Sequence, residues 1–147
     1  MTRGVLLGLV MVGCWTGPVA PSQPEAKPIT HKPPGLEVVL EGSPLQLTMA
    51  TRKDFKIKFV VTNHGETVVD PKLHESDLTI NGASSIQWGA ATGNGAMDDE
   101  WDALPPQHVV SREYVFGEHL FLAPGDFTLV LHVDDLESAP LHVHVAP

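Results

Sequence analysis

The chain has 147 residues, with 9 Lys+Arg against 18 Asp+Glu, a formal net charge of −9, and one cysteine. That charge weighs against DNA or RNA as a partner, because phosphate binding needs basic clusters that displace counterions. A single cysteine excludes an internal disulfide, so the fold must stand on its core alone.

Taken from the start, Arg3 precedes the apolar run Val5-Leu6-Leu7-Gly8-Leu9-Val10-Met11-Val12-Gly13, which ends at Cys14. The run is shorter than the ~20 residues a membrane-spanning helix requires. It has the layout of a secretory signal: a positive charge, a short greasy stretch and a small residue before the cut. With Met11-Val12-Gly13-Cys14 in the place of a lipobox, this start resembles a bacterial lipoprotein signal peptide. The resemblance implies a signal over 1–13, cleavage before Cys14, lipidation of its sulfur with a diacylglyceryl group and, commonly, a third chain on the new amino terminus. Two acyl chains suffice for stable anchoring. Met11 stands where the family prefers Leu. An ordinary secretory signal cut after Ala20 is the alternative, and it would discard Cys14. Trp15, not Asp, follows the cysteine, which leans towards the outer membrane if the source is Gram-negative. The expected location is therefore exported and membrane-anchored.

From 14 to 35 the chain changes character. Pro18, Pro21, Pro24, Pro28, Pro33 and Pro34 interrupt a stretch of mostly small and polar residues. Such a segment buries no core and reads as a disordered tether, leaning to extended polyproline II; at about 3.1 Å per residue it reaches roughly 65 Å. A docking role for Pro33-Pro34 is the alternative.

Residues 36–147 suit one domain with one core. Alternation marks strands at Leu36-Val38-Leu40, Leu45-Leu47-Met49 and Phe55-Ile57-Phe59-Val61. Asn63-His64-Gly65-Glu66 reads as a turn, followed by Val68-Val69. Leu78-Ile80 runs into Asn81-Gly82, a strong hairpin signal. Further strands are predicted at Ile86–Trp88, Val109–Phe116, Phe127–Val133 and Leu141–Val145. No window shows helical period over ten residues. The expectation is an all-β, single antiparallel sandwich of about 7–9 strands. The segment Leu122-Ala123-Pro124-Gly125-Asp126-Phe127, together with the run from Phe55 to Gly65, resembles bacterial Ig-like and fibronectin-like domains. That resemblance implies an Ig-like β-sandwich over 36–147. Phe127 replaces the corner tyrosine, so packing and the Pro-Gly turn must hold that corner.

Three places carry candidate chemistry. His132, His142 and His144 fall on the outward face of the last two strands, with Asp134 near. If those strands pair as a hairpin in the expected register, His132 lies opposite or diagonal to His142 or His144, close enough to share zinc or copper. The bland reading is a solvated face that uses histidine. Asp98, Asp99, Glu100 and Asp102, behind Gly93-Asn94-Gly95, offer oxygen ligands to calcium, although the spacing is not that of an EF-hand. A solvated acidic loop is the alternative. Trp88, Trp101 and Tyr114 form either a carbohydrate or peptide platform or ordinary core.

No Gly-x-Ser-x-Gly, His-Glu-x-x-His or phosphate-binding glycine loop is present. The expected function is a non-catalytic, lipid-anchored envelope module, not an enzyme, that meets the membrane through Cys14 and a protein partner in the envelope. No cofactor is expected on this reading; zinc or copper belongs to the metal-binding alternative. A third reading is an extracytoplasmic inhibitor, since the layout also looks like bacterial Ig-like proteinase-inhibitor domains.

Overall fold

A computed structural model describes residues 35–93 and 98–147. The expectations for the signal, the tether and Cys14 fall outside these residues, apart from Gly35 at the tether's end.

Two sheets face each other. The first contains β1 (Leu36–Ser43), β3 (Lys56–Asn63) and β6 (Val109–Val115), in the order β1-β3-β6, all antiparallel. The second contains β2 (Gln46–Thr48), β9 (Leu141–Ala146), β7 (Gly125–Val133), β4 (Asp77–Ile80) and β5 (Ala83–Ser84), in that order, with β8 (Leu136–Glu137) also paired to β7. The expected all-β sandwich is thus present, with one correction: β2 runs parallel to β9. The chain passes from one sheet to the other between β1 and β2, at the cis Ser43–Pro44 bond.

The alternating residues do what their period demands. Leu36, Val38 and Leu40 face inward from β1, Phe55, Ile57, Phe59 and Val61 from β3 and the residue before it, and Leu129, Leu131 and Val133 from β7. Rings knit the ends of this core: Phe59 meets Trp101 edge-on at 5.6 Å, and Phe55 meets Phe121 at 5.1 Å. The corner before β7 is held by packing, with Phe127 lying 4.8 Å from Phe121. Asn81 and Gly82 both take positive φ, 50° and 81°, and close the β4–β5 hairpin as their chemistry predicts. Asn81 also reaches across to β7, its Oδ1 accepting the Thr128 N–H at 2.8 Å.

Two predicted strands are absent. Ile86–Trp88 belongs to α1 (Ile86–Gly93). Ser85 caps it, its Oγ accepting the Trp88 N–H at 3.3 Å, and Trp88 and Thr92 bury the same face four residues apart. Ile86, which produced the apparent alternation, is exposed. Val68-Val69 forms no strand either; Val69 makes a single bridge to Leu104. A second short helix, α2 (Gly117–Leu120), follows β6.

At the end of β3, Asn63 is wholly buried. Its Nδ2 donates to the carbonyls of Thr67, Leu104 and Pro105, and its Oδ1 accepts the Gly65 N–H. This one amide gathers three carbonyls of the surrounding irregular chain, of which Leu104 also accepts the Val69 N–H.

Candidate functional site

The histidine face is real but its register differs from the expectation. In the β7–β9 pair Thr128 stands opposite His142 and Asp126 opposite His144. Beyond Leu129–Leu141 the partner strand holds one extra residue, and His132 stands opposite Glu137 of β8. His132 and Thr128 are four residues apart, so His132 sits ~13 Å along the strand from the level of His142. The cause is local. The tight Asp134-Asp135 turn pairs Val133 with Leu136 and so sets β8 opposite His132, while the extra residue at 138–140, where Ser138 Oγ accepts the Leu131 N–H at 3.0 Å, changes the register by one position only.

Each imidazole has its own neighbour. His144 Nδ1 lies 2.7 Å from Asp126 Oδ1, and His142 Nδ1 lies 3.2 Å from the Thr128 hydroxyl. His132 Nδ1 lies 3.3 Å from Glu137 and its Nε2 3.3 Å from the Thr79 hydroxyl. His142 and His144 remain together as a pair two residues apart, whereas His132 is separate. Among the described residues no group of three His, Cys, Asp or Glu is placed to hold a metal ion. Asp134 turns the other way to pair with Lys72 at 3.2 Å. The hydrogen bond and charge of Asp134 raise the Lys72 ammonium above its ordinary range.

The acidic segment also disperses its side chains. Asp98 pairs with Arg112 at 3.1 Å, Glu100 with His108 at 3.0 Å and Asp102 with His74 at 3.3 Å. Three of the four candidate calcium ligands therefore point at three different basic side chains. Trp101 anchors the segment in the core, with the Arg112 guanidinium 5.4 Å from its ring and His74 at the same distance. Arg112 was missed as a partner by sequence reasoning, although a signal existed: in Val109–Val115 it occupies an inward position between Val110 and Tyr114.

Trp88 and Trp101 are buried and form core, not a platform. Trp88 Nε1 donates to Ser76 Oγ at 3.1 Å, and its ring meets Tyr114 at 5.7 Å. Among the described residues the Tyr114 hydroxyl and Trp101 Nε1 are buried with no hydrogen-bond partner. Burial pushes the Tyr114 phenol above its ordinary pKa.

Comparison with known proteins adds little. No family and no curated protein matches the chain. A β-glucosidase of Erythrobacter marinus is similar in structure at a TM-score of 0.38 and 12% identity, over 76% of this chain and 15% of that one. The chain thus spans under a sixth of that enzyme, and a likeness at this level carries no argument about fold or activity. Among the described residues no helix is long and apolar enough to cross a membrane.

Proposed function

We propose that this protein is a non-catalytic interaction module of the cell envelope, anchored by lipid at Cys14 and held off the bilayer by its Pro-rich segment. The observation that carries the non-catalytic reading is the pairing of the candidate polar side chains. Histidines and acids are tied one to one, some across the sheet and some between turns. Asp126, His142 and His144 line one shallow, open concavity with Gln46 and Thr128, whereas His74, His108 and His132 with their acids do not line it. What the domain turns outward is strand and sheet, which suits recognition of another chain.

We read the sandwich as Ig-like. With strands lettered in chain order, a constant-type Ig domain sets A-B-E-D against C-F-G. The strands β1, β3 and β6 suit A, B and E, and β4, β7 and β9 suit C, F and G. The split of the first strand, with β2 parallel to the last strand, supports the same reading.

The anchoring half is tested by growing cells with labelled palmitate and comparing wild type with Cys14→Ser. Label is expected on wild type and absent from the variant; an unlabelled wild type removes the lipid anchor. The interaction half is tested by photo-crosslinking the anchored protein in intact envelopes. A discrete protein adduct is expected, and lipid adducts alone overturn it.

A further inference from the structure

The first sheet ends on a long bare edge. The Asn63 N–H donates to the His108 carbonyl and the Phe116 N–H to the Phe55 carbonyl. These two bonds bracket the β3–β6 ladder and set its alternation, so Val110, Arg112 and Tyr114 turn their backbone groups towards β3. The N–H and C=O groups of Val109, Ser111, Glu113 and Val115 therefore point away from β3. Among the described residues, none of these four makes a backbone hydrogen bond on that side. All four are exposed, Val109 at 50% and Val115 at 62%.

The other edges are guarded. In the second sheet β2 has three residues and β5 has two. The β1 edge faces Leu136, Glu137 and Ala139 across a groove. Natural sheets shorten or cover their edges because an open one templates another strand. Here the seven-residue β6 is not short and, among the described residues, not covered by a further strand, and it stands where strand D would pair with E in an Ig domain.

We infer that the β6 edge is a strand-addition site for an extended, basic segment of another protein. This deepens the interaction-module reading and rests on it. Backbone groups at Val109, Ser111, Glu113 and Val115 supply the ladder, and the exposed valines supply apolar contact on the outer face. Charge selects the partner. Glu113 lies on the edge itself, Asp98 is held at β6 by Arg112, and Glu100 is held by His108, the residue before β6. Lys56, paired with Glu113, Arg112, paired with Asp98, and Lys58, opposite Glu113 but paired with Glu41, offset part of this charge. A second copy is disfavoured, because pairing β6 with itself sets these acids against each other in a chain of net charge −9. The chain's own segment from Trp15 to Pro34 is disfavoured too: no more than four consecutive residues there lack proline, and each proline removes a donor.

The test uses the isotope-labelled full chain and a capped peptide, Val-Lys-Val-Lys-Val-Lys-Val, read by amide hydrogen exchange. At a concentration about ten times its Kd, exchange at Ser111 and Glu113 is expected to slow about tenfold. The Glu-for-Lys peptide, and the Lys peptide N-methylated at alternate residues, are expected to leave it unchanged. The variant Ser111→Pro removes an outward N–H that β3 does not use, so its melting temperature should stay near wild type while peptide protection is lost. Protection elsewhere but not on β6 overturns the edge assignment and leaves the interaction reading standing. No protection anywhere overturns this inference, while that reading answers to its own crosslinking test. Equal protection by the Glu peptide overturns charge selection. Protection of β6 that rises with protein concentration alone overturns it in favour of a second copy.

Discussion

Tyr114 shows how a single side chain carries an unfavourable term that the fold tolerates. Its ring is held against Trp88 and its hydroxyl is buried without a partner among the described residues. An unsatisfied buried hydroxyl costs about 1–3 kcal/mol, so Tyr114→Phe is expected to stabilise the domain by ~1 kcal/mol in urea unfolding. The phenol is also pushed above its ordinary value of 10, because burial disfavours the phenolate. A raised folded pKa binds the proton more tightly in the folded state. Its contribution is fully present below pH ~10 and is lost as pH rises through the folded value. The Tyr114→Phe variant should therefore lack that part of the alkaline decline in stability. Tyr114 is the only tyrosine, so ultraviolet titration of the phenolate reports this group alone. A midpoint at or below 10 sinks the assignment.

The element that escaped the sequence reading is α1, and its determinants are local. Ser85 caps it, Trp88 and Thr92 bury one face, and Gly89 lies on the open side, where an added Cβ meets nothing within 4 Å. Two substitutions should therefore act in opposite directions. Ser85→Ala is expected to cost ~1 kcal/mol through loss of the cap. Gly89→Ala is expected to add ~0.5–1 kcal/mol through helix propensity. Denaturant midpoints of the two variants check both signs, and equal signs would mean that the helix does not persist in solution. Gly117 is the counter-case: a Cβ there runs into the Arg52 carbonyl oxygen and comes within 2.7 Å of the Phe55 Cβ. Ser85 was legible as a residue type that caps helices, without the Glu or Gln three residues later that completes a capping box. The helix itself was not, because two turns with an exposed Ile86 give no clear 3.6-residue period.

For the whole molecule, two electrostatic effects oppose each other. The described surface carries at least nine ion pairs counting histidine, and all are partly or fully open to solvent. Exposed pairs contribute about 0–1 kcal/mol each and are screened by salt. Against them stands the self-repulsion of a chain with twice as many acids as bases. Long-range repulsion is screened more than contacts near 3 Å when the Debye length falls from ~30 Å at 0.01 M to ~8 Å at 0.15 M. The melting temperature is therefore expected to rise over that range of salt. A fall would mean that the pairs outweigh the repulsion.

The sequence by itself determined the all-β class, most strand positions, the Asn81-Gly82 hairpin and the outward aspect of His132, His142 and His144. Period and turn chemistry are local, so a short window contains them. Only the tertiary structure decided which residues meet. The tight turn at Asp134-Asp135 set Glu137 opposite His132 and left His142 and His144 opposite Thr128 and Asp126. Arg112, His108 and His74 divided the acidic segment among themselves. The β6 edge was left open because no described strand arrived beside it. These outcomes depend on which distant segments pair and in what register, and that balance is struck across the whole core, where no single window of sequence records it.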